Sequence, residues 1–557
     1  MLRRILTLSC AAGALAAPAA LPGQGPHDGH AGHALAGWVP HEVLERPVGL
    51  RDGVGRLHDP VTTASREAQA FYDQGVAYLH SFVWIEAARS FHQALRHDPG
   101  LALAYVGLSR VHTGLTDHAG AVAMLERARA LGARASERER RRITVRARQL
   151  DALAEPRSTE KLLAYRAALD EALGHDPDDA ELLLLRGNLE EPLGAAGRGQ
   201  RGTAASIPFY EAVLARVPGH FAAHHYLIHS NEHVRRFDRA VEHGEVYARA
   251  VWSVPHAHHM LAHDLMKVGR VEDAVARFAR ADSLEVAYYA AEGVSRDLDW
   301  HHLHNQNLLA LALQHQGRIR EAEAVMRRVA AMTPRLDAVE VGHRKDLPEL
   351  LLGRGRLREA AAEAEAMTRG KSPLTRAAGH AFLARALVGQ GHVARAAEHA
   401  EAAEREMKAG ASGTFADLVA PMVKAARGEY LLHAGRRAEG RALLEEVLRE
   451  SYRATGPDAW IEALFRLEAI ARAARSARDW ELAEATTRRL LEHDPAYGGS
   501  HHAAALLAEH RGDREGARKA YAEARRLWAR ADAGLAELRG RRTPAGGRHR
   551  APAGAHR

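Results

Sequence analysis

Between His220 and His263 the chain places histidines at a spacing that a helix converts into a wall of metal ligands. His225 and His229 are four residues apart, as are His259 and His263, so on helices each pair shares one face, a turn apart. The segments HFAAHHYLIHSNEH and HAHHMLAHDLMK superpose when slid by 34 residues, His225 onto His259 and His229 onto His263. Glu232 continues the first face three residues beyond His229, and His256 extends the second backwards from His259. A period of 34 is that of a helix–turn–helix array, in which equivalent positions of successive units stack. Neutral imidazole with carboxylate is a donor set for Zn²⁺, Cu²⁺ or Fe²⁺ at roughly 2.0–2.2 Å. Helices packed roughly 8–10 Å apart leave a gap that two imidazoles can bridge. His225, His229, His259 and His263, joined by Glu232, His256 and His304, are the candidate ligands of one ion or two. Glu232 is the only candidate general base, and no catalytic residue is otherwise identifiable.

Other chemistries find no support. His225-Tyr226-Leu227-Ile228-His229 lacks the adjacent glutamate of the H-E-x-x-H zinc peptidases. There is no G-x-S-x-G and no phosphate-cradling glycine loop. The only cysteine, Cys10, lies in the N-terminal apolar segment, so a metal site must use histidine and carboxylate rather than thiolate. No organic cofactor is implied. Two other readings of the histidines stand beside the metal site: a concave groove that holds a peptide segment of a partner protein, and half-exposed polar residues with no ligand. If a metal were catalytic, a vacant coordination position and a closed pocket would be expected rather than an open trough.

The elements that must position these side chains are helices. At 557 residues, rich in Ala, Leu, Arg and Glu and with 5% aromatic residues, the chain is too long for one compact core and strongly helix-favouring. From Phe71 the pattern sharpens: Phe71, Gly75, Tyr78, Ala87, Phe91, Ala94 and Pro99 alternate small and aromatic positions over one helical hairpin. Tyr105, Leu108, Ala121 and Ala128 repeat it 34 residues later. Further units are marked by Arg236/Ala240, Gly269-Arg270/Ala274, Gly317-Arg318/Ala322, Gly355-Arg356/Ala360, Gly391-His392/Ala396, Gly435-Arg436, Ala483/Pro495 and Gly512-Asp513/Ala517. The unit beginning at Ala281 is longer, which predicts an extended helix and a loop before Trp300.

These positions resemble the tetratricopeptide repeat over most of residues 67–540. The resemblance implies an all-α superhelix of about ten helix pairs. AAHHYLIHSNE, and VPHAHHMLAHDLMKVGRVEDA with DLDWHHLHNQNLLALALQHQGR, are also similar to a largely uncharacterised group of exported bacterial tetratricopeptide proteins, which brings no activity with it. In such repeats the first helix lines the concave face at its second, fifth, ninth and twelfth positions. The first three of these in the three central units are Ala222, His225, His229, then His256, His259, His263, then His304, Asn307, Leu311. Six of those nine are histidine, in a stretch (220–315) where 14 of 96 residues are, so the inward positions are enriched. Asp299, His301 and His302 could add a fourth wall or orient the ligands, and Asp299-Trp300 could fold over the groove.

The expected organisation is a secretory signal over 1–23, a His/Gly-rich linker over 24–65, N-terminal repeats over 66–218, and His-rich repeats over 219–340. C-terminal repeats with a capping helix follow over 341–540, then a basic tail over 541–557. Arg3 and Arg4 precede an apolar run too short to span a membrane, so export to the periplasm is expected. Thr7-Leu8-Ser9 before Cys10 is a poor lipidation signal, which disfavours a lipid anchor. His27, His30 and His33 fall in the linker, a metal-scavenging tail being the alternative reading. Arg3, Arg4, Arg541, Arg542, Arg548, Arg550 and Arg557 account for the net charge of +7, so the body is near neutral and basicity argues for no nucleic-acid partner. No transmembrane segment is expected in the mature chain.

Overall fold

A computed structural model describes residues 39–191, 202–332, 340–411, 415–453 and 458–538. The signal, the His27/His30/His33 segment and the basic tail lie outside them. The fold is a tetratricopeptide-type superhelix: helices follow one another as antiparallel pairs from Arg66 to Leu527, twelve pairs among the described residues, with no strand among them. The pairs that build the site are α1 (Arg66–His80) with α2 (Trp84–His97), α3 (Phe221–His233) with α4 (Phe237–Ala250), α5 (Pro255–Lys267) with α6 (Val271–Glu292), and α7 (Trp300–His315) with α8 (Ile319–Ala330). No helix among the described residues is long and apolar enough to cross a membrane.

Two sequence features set the repeat. The turn between the helices of a pair needs one residue in the left-handed region, supplied by glycine at Gly269, Gly317, Gly355, Gly391, Gly435 and Gly512. Phe82, Thr116, Arg235 and Arg478 occupy the equivalent turns with φ between 56° and 59°. A side chain there costs about 1–2 kcal/mol. Fully buried alanines, among them Ala240, Ala274, Ala322 and Ala360, then let the second helix of each pair close on the first. As expected, α6 is long (22 residues) and ends at left-handed Gly293. After Leu527 the chain runs through turns and a short 3-10 helix, Ala536–Leu538, instead of the separate capping helix read from the sequence.

The superhelix coils tightly enough to touch itself. On one side, residues 39–65 do not behave as a linker: Val43, Leu44, Val48 and Val54 are buried, and the segment straps the first repeat to the central ones. Ser253 donates its backbone N–H to the Gly53 carbonyl at 3.1 Å, and Arg46 Nη1 donates to the Glu292 carbonyl at 2.7 Å. Apolar burial alone does not anchor the strap: Arg142 reaches both Asp59 and Asp179, all three buried. On the other side, the last repeat returns to α7, where Trp528 Nε1 donates to the His315 carbonyl at 2.9 Å and His315 Nε2 meets Asp494 at 2.7 Å. The central concave face thereby lies between the two ends of the array.

Candidate metal centre

The six inward histidines predicted from repeat phase meet in this interior, all but His304 buried. They form two groups of three. His225, His229 and His256 bring one ring nitrogen each within 4.8 Å of one another, and so do His259, His263 and His304. The groups adjoin: the His256 and His259 rings stack with centroids 5.9 Å apart, and His301 lies against both, at 5.1 and 4.6 Å.

Hydrogen bonding on the far side of the rings determines which nitrogen faces inward. His225 Nδ1 lies 2.7 Å from the His80 carbonyl oxygen, which can only accept, so Nδ1 carries the proton and Nε2 presents a lone pair. His259 Nδ1 lies 3.0 Å from Asn305 Oδ1, whose amide is oriented by Nδ2 donating to the Phe278 carbonyl at 3.0 Å. His259 therefore also has a bare Nε2. His229 Nδ1 faces Glu232 Oε2 at 3.3 Å.

The inward nitrogens are close. His225 Nε2 is 3.1 Å from His256 Nε2 and 3.3 Å from His229 Nε2, and His259 Nε2 is 2.9 Å from His263 Nε2. Two nitrogens bound to one ion at about 2.05 Å with a tetrahedral angle lie about 3.3 Å apart, and about 2.9 Å apart at a right angle. A single lone pair on His225 can accept a proton from only one of its two neighbours, whereas one cation would serve all three nitrogens.

One member of the site had no signal in the sequence. Asp458, from the eleventh pair and 8% exposed, places Oδ1 3.6 Å from both His263 Nε2 and His304 Nε2, and that oxygen accepts no hydrogen bond. Burial, reinforced by Glu462, pushes its carboxyl well above the usual carboxylate range. Its oxygen is the only carboxylate donor beside either group's inward nitrogens among the described residues.

Glu232 lies outside both groups. It pairs with Lys267, which also reaches Asp264 Oδ1 at 3.4 Å, all three side chains being at most 7% exposed. Burial alone would raise the Glu232 carboxyl, but the Lys267 ammonium and His229 outweigh it and hold it low. Burial and then Glu232 push Asp264 the other way. As a permanently ionised group, Glu232 is a weak base and a good orienter of His229. His301 Nδ1 hydrogen-bonds Glu285, and burial lowers its pKa to about 4, keeping the ring neutral. His302 and Asp282 form a separate ion pair at 2.9 Å next to Glu285. Asp299 caps α7 through the His301 N–H.

The closing wall over the first group is Phe82. Its ring centroid lies 4.8 Å from that of His225 and 5.3 Å from that of His256, held there by the left-handed backbone of the α1–α2 turn. On the opposite side, Gly202 (φ +57°) packs on the backbone of His229 and Ser230 so closely that a Cβ would fall 2.3–2.4 Å from it.

By sequence the chain matches no protein-family model and no curated protein. Solved structures with similar helical arrays include PilW, a widely conserved type IV pilus biogenesis factor (18% identity, 48% of this chain and 94% of that one, TM-score 0.25). A human IFIT1 dimer with PPP-AAAA (13%, 77% and 91%, TM-score 0.36) and yeast Tom70 (12%, 83% and 92%, TM-score 0.30) are also similar. At these values nothing about the neighbours' ligands or partners transfers to this chain.

Proposed function

We propose that this is an exported, periplasmic helical-repeat protein that holds transition-metal ions in its closed interior. His225, His229 and His256 bind one ion; His259, His263 and His304, closed by Asp458, bind a second. The observation that carries this reading is the convergence of inward Nε2 atoms at 2.9–3.3 Å, two of them, on His225 and His259, stripped of their protons by fixed acceptors behind the rings. Six imidazoles without a thiolate suit zinc, copper or iron rather than magnesium or calcium. Elemental analysis after dialysis tests it. The parent protein should retain zinc, copper or iron, His229→Ala and His263→Ala should each lose part of it, and the folded double variant should hold none. Equal metal content in parent and double variant would remove the proposal.

A second reading, an interaction scaffold, is supported elsewhere in the chain. Apart from the histidine-lined groove, a cleft of about 90 Å³ opens over the C-terminal repeats. Phe382 and Phe465 lie in its walls with Lys345, Arg385, Glu349 and Glu462, a mixed lining that would take one side chain of a partner protein. A cross-linking residue placed at Phe382 should capture such a partner if this reading holds, independently of the metal.

A further inference from the structure

A chamber of about 340 Å³ adjoins the first histidine group. His256 belongs both to that group and to the chamber wall, and His301 and Phe82 form the wall beside it. The two groups have three histidines each but differ in their surroundings. His263 and His304 face Asp458 Oδ1 at 3.6 Å, which puts a carboxyl beside two of the second group's three nitrogens. Beside the inward nitrogens of the first group there is no carboxylate among the described residues, since Glu232 stands behind His229. Three protein ligands and one open position distinguish reactive metal sites from structural ones.

The lining indicates what can enter. Val83, Val254, Pro255 and Leu284 make apolar walls; of the acidic groups Asp52, Glu86, Glu285 and Asp299, Glu86 is paired with Arg89 and burial pushes the Glu285 carboxyl well above the usual range, and the one lining cation is Arg51. That guanidinium is already paired with Glu292 and lies 3.7 Å from Glu86, so it is not available to hold an anion. A space of this size and composition takes a small organic molecule. A neutral or cationic one is favoured over a carboxylate or phosphate, because the one lining cation is already paired and no other charge is there to hold an anion.

Resting on the metal reading above, we propose that the chamber delivers a small, apolar-bodied, neutral or cationic nitrogen or oxygen donor to the open coordination position at His225, His229 and His256. The second ion is the closed, structural one. The chamber then is the substrate site of a metalloenzyme, with His256 linking it to the ion.

The test uses the full chain carrying His263→Ala/His304→Ala, loaded with Co²⁺ so that the visible cobalt bands report the first group alone. Titration with 4-phenylimidazole, a neutral aromatic nitrogen donor, should shift those bands saturably. Phenylacetate, an anionic donor of similar size, should bind at least about tenfold more weakly. Leu284→Trp and Ala287→Trp, two independent ways of filling the chamber, should keep the cobalt and its resting spectrum but weaken the 4-phenylimidazole response by at least about tenfold. Bands that do not move, or two tryptophan variants that respond like their parent, overturn the chamber. Equal binding of phenylacetate overturns its charge preference. A protein that takes up no cobalt overturns the metal reading itself, and this inference with it.

Discussion

Replacing Lys267 by methionine isolates the electrostatics behind the first histidine group. The Lys267, Glu232 and Asp264 side chains are 3%, 7% and 0% exposed, so this is a desolvated cluster and not a surface pair. Its charge balance requires Glu232 ionised, Asp264 protonated and Lys267 charged, as the opposite shifts of the two carboxyls indicate. Methionine keeps the apolar stem and removes the ammonium, which strands the Glu232 charge beside His229. Removing one partner of a buried pair costs about 3–5 kcal/mol. Because a repeat array can unfold in sections, the measurement is amide hydrogen exchange in α3 and α5 at pH 7 rather than one melting temperature. Lys267→Met should speed exchange in both helices, and Lys267→Met/Glu232→Gln, which leaves no lone charge, should restore most of the protection. The depressed Glu232 carboxyl adds a sign that can be checked. Its contribution is complete above the unfolded value of about 4.3 and is lost as pH falls through the folded one. A single variant exchanging like the parent, or a double variant no better than the single, would refute the reasoning.

Three further outcomes follow from the geometry. Gly202→Ala should destabilise the protein by more than the conformational term of about 1–2 kcal/mol and weaken metal retention, because its Cβ would strike the His229 backbone. Gly355→Ala, with a similar φ of +68° and nothing within 4 Å, should cost the conformational term only; chemical denaturation compares the two. Burial holds His343 at about 4, below its unfolded value of about 6.5. The folded ring therefore stays neutral while the unfolded one protonates, and stability should fall by up to about 3 kcal/mol as pH drops from 6.5 to 4. His343→Gln should flatten that slope in denaturation curves. Arg142→Met should leave Asp59 and Asp179 buried without their cation and release the strap, seen as faster limited proteolysis within residues 50–65.

How much of this was readable in the chain depended on the range of the interaction. Repeat phase is local, so the inward direction of His225, His229, His256, His259, His263 and His304 followed from landmarks such as Gly269 and Ala274 without reference to the histidines. The length of α6 was legible for the same reason. Glu232 shared the right face but was drawn off by Lys267, a lysine on the next unit whose reach no periodicity reveals. Asp458 sits in a repeat without any histidine of its own between Ala459 and Trp480, and is brought to the site only by the pitch of the superhelix. The His80 carbonyl, 145 residues from the ring it anchors, is a backbone atom and leaves no trace in residue types. Non-glycine turns at Phe82 and Arg235 blurred the punctuation, and the strap over 39–65 was concealed by a composition that reads as linker.

The reliance of His225 on His80 and of His263 on Asp458 has a consequence for how the protein matures. Partners 145 residues apart in the first group, and as distant as His263 and Asp458 in the second, must be in place together before either proposed coordination sphere is complete. A nascent chain cannot assemble these spheres piecemeal, as a short zinc-finger segment does, and contacts of such high sequence separation form late. On the metal reading proposed above, ion selection then falls to the finished molecule, and the metal would reflect what the compartment supplies after the last coil has docked.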